Sequence, residues 1–186
     1  MSQEIIEGYR LSPQQRRLWL LRQSDRTAQC VVKIDGHLNV ETLQQAIRQV
    51  VVQQEILRTT FKLLPGMTIP VQVISDSPDV AFTRHDLRQL SVEEQQVKLD
   101  ALFVEIAARK IDFERVPLFH CHLIARSANS HVLIVSLPVA CADAASLQCL
   151  ARQIAEAYGA CSEPGRSFQI EAMQYADFAE WQNEML

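Results

Sequence analysis

Residues His131 to Leu137, HVLIVSL, form an almost unbroken apolar run, and a strongly amphipathic stretch follows at residues 145–158. A strand that is apolar on both faces belongs in the middle of a sheet, covered above and below. The stripe Leu147, Leu150, Ala151, Ile154 and Tyr158, closed by Gly159 at the C′ position, predicts a helix able to supply cover. With 186 residues, 48% of them apolar, the chain has enough material for one globular domain with a real core. The expected class is α/β: a sandwich of one sheet with helices packed against it.

Local signals fill in the order of elements. Ser12 as N-cap and Pro13 in the first turn predict a short helix over 12–22. At 30–36, Cys30, Val32 and Ile34 alternate with Lys33 and Asp35, as in a strand with one buried face. Asn39 caps a helix to about residue 56, with Leu43, Ala46, Ile47 and Val50 as its inner stripe. Arg58–Leu64 and Val71–Ile74 read as a hairpin around Pro65-Gly66, followed by a short extended segment at 80–84. Ser91 and Glu94 form a capping box, and the pattern Val97, Ala101, Val104 and Ala108 carries a helix to about 110. Residues 119–126 alternate as a further strand.

Charge and cysteine usage exclude several functions. There are 18 basic and 22 acidic residues, without a Lys/Arg run, so no footprint for nucleic acid or an anionic membrane is present. The N-terminus, MSQEIIEGYR, offers no apolar stretch for a signal peptide, and nothing reaches the ~18 apolar residues of a membrane span. The expected location is the cytoplasm. Five cysteines, Cys30, Cys121, Cys141, Cys149 and Cys161, lack CxxC spacing and lie mostly in apolar segments, which reads as buried free thiols.

Three places could carry chemistry. His120 and His122 flank Cys121 on a strand, so the two imidazoles share a face and could hold a metal in principle. No third ligand lies nearby in sequence, and a solvated strand face is the better reading; no metal is expected. The segment Ser136–Ser146 joins the apolar strand to the amphipathic helix, where a strand-to-helix turn can aim side chains at one point. Within it Cys141 could be a nucleophile beside a helix N-terminus, although a buried small residue fits better, and Asp143 stands where a helix N-cap belongs. Arg58, in the apolar stretch 55–61, needs a carboxylate if it points inward, and Asp143 is the expected partner.

The same places carry a family likeness. SPQQRRLWLL at 12–21 resembles the S-x-A-Q-x-R-L-W-x-L motif of nonribosomal peptide synthetase condensation domains, departing at Gln14. QQEILRTTF at 53–61 is similar to R-H-E-x-L-R-T-x-F, with Gln53 and Gln54 replacing Arg-His. KIDFERVPL at 110–118 resembles F-D-L-x-x-G-P-L, and QYADFAEWQ at 174–182 resembles Q-Y-A-D-Y-A-x-W-Q. All four occur in family order across essentially the whole chain.

The resemblance implies a chloramphenicol-acetyltransferase-like α/β sandwich over residues 1–186, the N-terminal lobe of a two-lobed domain whose C-terminal lobe is absent. It implies carrier-protein domains as partners, with phosphopantetheine delivered on the carrier and no cofactor bound by this chain. In the family's H-H-x-x-x-D-G motif, alignment on Asp143 puts Pro138 and Val139 at the histidines and Ala144 at the glycine. The second histidine is credited in the family with base or orienting chemistry, which needs a proton acceptor or donor, and valine has neither. Asp143 is expected to pair structurally with Arg58. The expected function is therefore a condensation-like lobe without the usual amide-forming activity, serving carrier-protein docking or recruitment of a trans-acting tailoring enzyme. The alternative is an active acyl-transfer domain that relies on positioning of its tethered substrates, with His122 or Cys141 as the residues to test.

Overall fold

The computed structural model describes residues 7–163, 165–171 and 173–185. Residues 1–6, on which part of the reading of the N-terminus rests, lie outside the described residues. The chain runs α1 (Pro13–Leu20), β1 (Thr27–Asp35), α2 (Val40–Gln53), a 3-10 turn (Glu55–Arg58), β2 (Thr59–Lys62), β3 (Val71–Ile74), β4 (Ala81–Asp86), α3 (Val92–Ala108), β5 (His120–Ser127), β6 (Ser130–Pro138), α4 (Ala144–Ser162) and α5 (Tyr175–Met185). Four strands form one sheet in the order β1-β6-β5-β4, and β2 with β3 makes a separate antiparallel pair. β4 and β5 run parallel, joined by α3 as the crossover, and the other strand pairs among the described residues are antiparallel.

The apolar run becomes the inner strand β6, which is buried along nearly its whole length. Its alternation divides the interior in two. Leu133, Val135 and Leu137 point into the larger cluster with Cys121, Leu123 and the inner faces of α2 and α4. Val132 and Ile134 point the other way, against Ile124 and α3's Leu102 and Ile106. The sheet is thus covered on both faces, as the composition of β6 requires.

Caps fall where the sequence puts them. The Ser12 hydroxyl accepts from the Gln15 N–H, Asn39 accepts from the Glu41 and Thr42 N–H groups, and Ser91 with Glu94 closes a capping box. Two features differ from the plain apolar pattern. The first is the helix end at Gly159: α4 continues to Ser162 because Ala157 and Ala160 are buried beyond the preceding turn, and such packing offsets the ~1 kcal/mol that glycine costs a helix.

The second is the inner stripe of α3. Val97 and Val104 are 70% and 66% exposed, and Ala101 and Ala108 are exposed with them. The buried face is instead Gln95, Leu102 and Ile106, with Leu99 partly buried beside them. Leu99, Leu102 and Ile106 are larger than the Val/Ala set, and Gln95 extends their face. Its side-chain amide donates to the carbonyls of Leu87, Leu90 and Arg126, and its oxygen accepts from the Arg126 guanidinium, so a polar residue occupies a core position with its hydrogen bonds made. Val97→Gln is expected to change stability by no more than about 0.5 kcal/mol. Urea unfolding checks this, and a loss well above that value would mean that the Val97 face is covered.

Candidate functional site

The segment between β6 and α4 is fixed by backbone and side-chain hydrogen bonds from β1, its own turn and α1. β6 ends at Pro138, which pairs with Thr27 of β1. The Val139 N–H then donates to the Arg26 carbonyl at 2.8 Å, and the Cys141 and Ala142 N–H groups both donate back to the Pro138 carbonyl. Pro138 and Ala140 are buried, Val139 is half-buried, and Ala144 is exposed.

Residues of the first and last motif segments converge on this loop. Gln15, 2% exposed, donates to the Ala140 carbonyl at 3.0 Å and to Gln72 Oε1 at 3.1 Å, while its own oxygen accepts from the Ser12 N–H. The Ser12 hydroxyl is hydrogen-bonded to the Tyr175 hydroxyl on α5 at 2.9 Å. Gln72 in turn donates to the Arg10 carbonyl. Gln53 accepts from the Ile170 N–H and donates to the Phe168 carbonyl, and Gln174 bridges the Gln53 carbonyl and the Glu55 N–H. Of the glutamines that replace Arg-His in the second motif, Gln53 is therefore a fastener for the segment leading into α5, and Gln54 reaches Gln153 on α4.

The Arg58–Asp143 pair is not formed. Arg58 donates to the Ser75 carbonyl at 2.5 Å, and its carboxylate neighbour is Glu55 at 3.6 Å. Asp143 is an exposed N-cap, its Oδ1 accepting from the Ser146 N–H at 2.8 Å and hydroxyl at 2.6 Å. Those bonds hold the carboxyl below its ordinary range. The physical reason is competition: each group is satisfied elsewhere, Arg58 on the carbonyl just past β3 and on Glu55, Asp143 on a helix N-terminus. Asp143→Ala is expected to cost about 1 kcal/mol as a lost cap. Combined with Arg58→Ala, the two losses should add within about 0.5 kcal/mol. A larger coupling in a double-mutant cycle would restore the direct pair.

The residues proposed for residual chemistry are placed poorly for it. Cys141 is buried at the base of the loop, and burial pushes its thiol up to about 12, so it stays protonated and inert. His122 lies on β5 opposite Ile134, well up the strand from Pro138, and its ring contacts His85. The two histidines of the H-C-H sequence are not partners of each other. His120 contacts the Arg109 guanidinium and donates from Nε2 to the Pro117 carbonyl, and burial followed by Arg109 lowers it to about 4. It shares a crevice with Pro138 of only about 10 Å³, room for one water at most.

Beside the loop is a larger apolar groove of about 440 Å³, bounded by Ile56, Leu137, Cys141, Cys149, Tyr175 and Phe178. Sequence reading missed Gln15, Gln72 and Tyr175 as supports of this region. Gln15 and Tyr175 stand at matching positions of the motifs, which was the available signal, whereas Gln72 carried none.

This architecture defines the class: a chloramphenicol-acetyltransferase-like α/β lobe of condensation-domain type. The X-domain from teicoplanin biosynthesis has the same layout, with TM-score 0.79 and 32% identity over 99% of this chain and 40% of that one. The starter condensation domain of the rhizomide synthetase RzmA shares the fold at TM-score 0.82 and 18% identity, over 96% of this chain and 45% of that chain.

The condensation-domain family profile matches residues 5–186, and the chain belongs to the condensation-domain family of nonribosomal peptide synthetases. Chondramide synthase cmdD of Chondromyces crocatus is 35% identical over 94% of this chain and 5% of its own length. Bacitracin synthase 3 of Bacillus licheniformis is 26% identical over 97% of this chain and 3% of its own. The chain thus spans a twentieth or less of these synthetases. Among the described residues, no helix is long and apolar enough to cross a membrane.

Proposed function

We propose that this chain is the N-terminal lobe of a condensation-like domain that lacks histidine-based amide formation and serves as a docking surface within a cytoplasmic peptide synthetase. The observation that carries the reading is Val139 at the second histidine position, with Pro138 before it. Neither side chain can accept or donate a proton, while general acid–base help at such a position contributes about 10²–10⁴ in rate. The buried thiol of Cys141 and the engaged ring of His122 offer no replacement.

The partners in this reading are carrier-protein domains, whose phosphopantetheine arms come and go as substrates, and a tailoring enzyme acting in trans. Support for the latter is the likeness to an X-domain solved in complex with OxyB, with TM-score 0.77 and 30% identity over 98% of this chain and 39% of that chain. The retained scaffold around the loop fits such a role, because a docking surface needs the lobe's shape and not its proton transfer. The test is the full-length synthetase with its neighbouring carriers loaded with acyl and aminoacyl thioesters. No amide product above the rate without the domain is expected by mass spectrometry. Steady product from the wild type would replace this reading with an active domain that works by positioning.

A further inference from the structure

The outward side of α3 is apolar as well as its inward side. Successive helical residues turn by about 100°, so Val97, Ala101, Val104 and Ala108 lie opposite Leu99, Leu102 and Ile106, which pack onto the sheet. All four outer residues are exposed, Val97 by 70% and Val104 by 66%. Single exposed valines are ordinary surface, but these four follow a spacing of four, three and four, the seam that a second helix fills.

We infer that α3 is a self-association face, on which a second copy of this chain lays its own α3 antiparallel across a two-fold axis. Volume and charge select this occupant and this direction. In the antiparallel register every layer of the seam places one valine against one alanine: Val97 on Ala108 of the second copy, Ala101 on Val104, and the same two layers again through the axis. The layers are equal in volume, and the alanines let the helices approach closely. The same register sets Lys98 against Glu105 of the second copy, twice by symmetry. Both side chains are exposed, and neither joins an ion pair among the described residues. On the other flank Asp100 faces Ala107, so like charges do not meet there, and Glu93 lies at the end that meets Arg109 and Lys110.

A parallel pairing is worse in both respects. It stacks valine on valine and alanine on alanine, alternately wide and narrow, and turns Asp100 towards Glu105 of the second copy. The seam ends after its four layers, because Glu94 folds back onto the Ser91 N–H and Ile111 packs against the larger core cluster. Such a contact buries less than the ~1,600 Å² of a standard interface, so the pair is a weak one, with a Kd on the order of 100 µM. At the far lower concentrations of an unfolding measurement the chain is a monomer and Val97 is free. The seam shares no residue with the loop at Val139 or with the apolar groove beside it.

Sedimentation velocity of the chain between about 5 µM and about 1 mM tests this. The average mass is expected to climb from one chain towards two and to stop there, as a closed two-fold pair requires. Ala101→Glu puts a carboxylate into the seam and should weaken association about tenfold or more. Lys98→Glu sets like charges across both flanking contacts and should weaken it about tenfold. Adding Glu105→Lys to that variant should return association to within about threefold of the original, a rescue that the antiparallel register alone predicts. Val52→Gln, exposed on α2, should leave it unchanged. Circular dichroism verifies that each variant is folded, and if Ala101→Glu is not, the charge exchange decides. Growth beyond two chains, unchanged association in folded Ala101→Glu, or failure of the rescue would overturn the antiparallel pair. A strict monomer at about 1 mM would overturn it too and leave the face to a different partner. None of these results depends on whether the loop at Val139 catalyses.

Discussion

Val139→His in the full-length synthetase, with carriers loaded as above, is expected to lift amide formation from background by about 10²- to 10⁴-fold. The structure supplies the frame for this gain. The backbone at residue 139 is already fixed by its N–H bond to the Arg26 carbonyl, and the turn below it is closed by the Cys141 and Ala142 N–H groups on the Pro138 carbonyl. A half-buried side chain at 139 leaves a histidine partly in solvent, so its ring can stay near its ordinary pKa and serve as acceptor at neutral pH. Product counted by mass spectrometry over time gives the ratio of rates. A wild-type rate already equal to that of the histidine variant would show that proton transfer at this position does not limit the reaction and that positioning of tethered substrates suffices.

The second large effect is on stability. Gln15→Leu is expected to cost about 2–4 kcal/mol, because the replacement keeps the volume but leaves the Ala140 carbonyl, the Gln72 oxygen and the Ser12 N–H without their partners in a buried place. A chain of this size should then melt roughly 5–15 °C lower. The loss reaches the candidate site directly, since the Ala140 carbonyl belongs to the loop that follows Val139. Denaturant unfolding measures the difference. A cost below about 1 kcal/mol would mean that water replaces the amide and that the loop holds itself.

The contrast between Gln15 and Val97 explains what could be read from residues alone. Signals confined to one or two turns were legible: the caps at Ser12, Asn39 and Ser91, the hairpin between β2 and β3, and the two-faced burial of β6. In α3, the stripe 97, 101, 104, 108 is Val/Ala only, whereas 99, 102 and 106 bring the larger Leu, Leu and Ile into the core, and Gln95 extends that face with its hydrogen bonds to Leu87, Leu90 and Arg126. Leu87 and Leu90 lie just before α3, whereas Arg126 comes from the far end of β5 and leaves no trace in the helix itself. The same holds for Arg58, whose needs are met by the Ser75 carbonyl and Glu55 instead of the cap at Asp143. His85 as neighbour of His122 depended on a parallel register across a whole crossover helix, which periodicity cannot supply. The loss at Pro138 and Val139 was legible only through the motif, because locally those residues are ordinary apolar side chains at a strand end.

The pairing of β1 with β6 has a consequence for how the chain is made. Thr27 meets Pro138 and Asp35 meets Ser130, so the first strand of the main sheet has no partner until the last has left the ribosome. At about 5–20 residues per second that wait is roughly 5–20 s, far longer than a helix or hairpin needs to form. During it, Cys30, Val32 and Ile34, later part of the packed interior, have nothing to lie against but the nascent helices. In the living cell this lobe should therefore be a client of the early chaperones, and slowing translation after residue 35 should lower its soluble yield more than slowing it after residue 138.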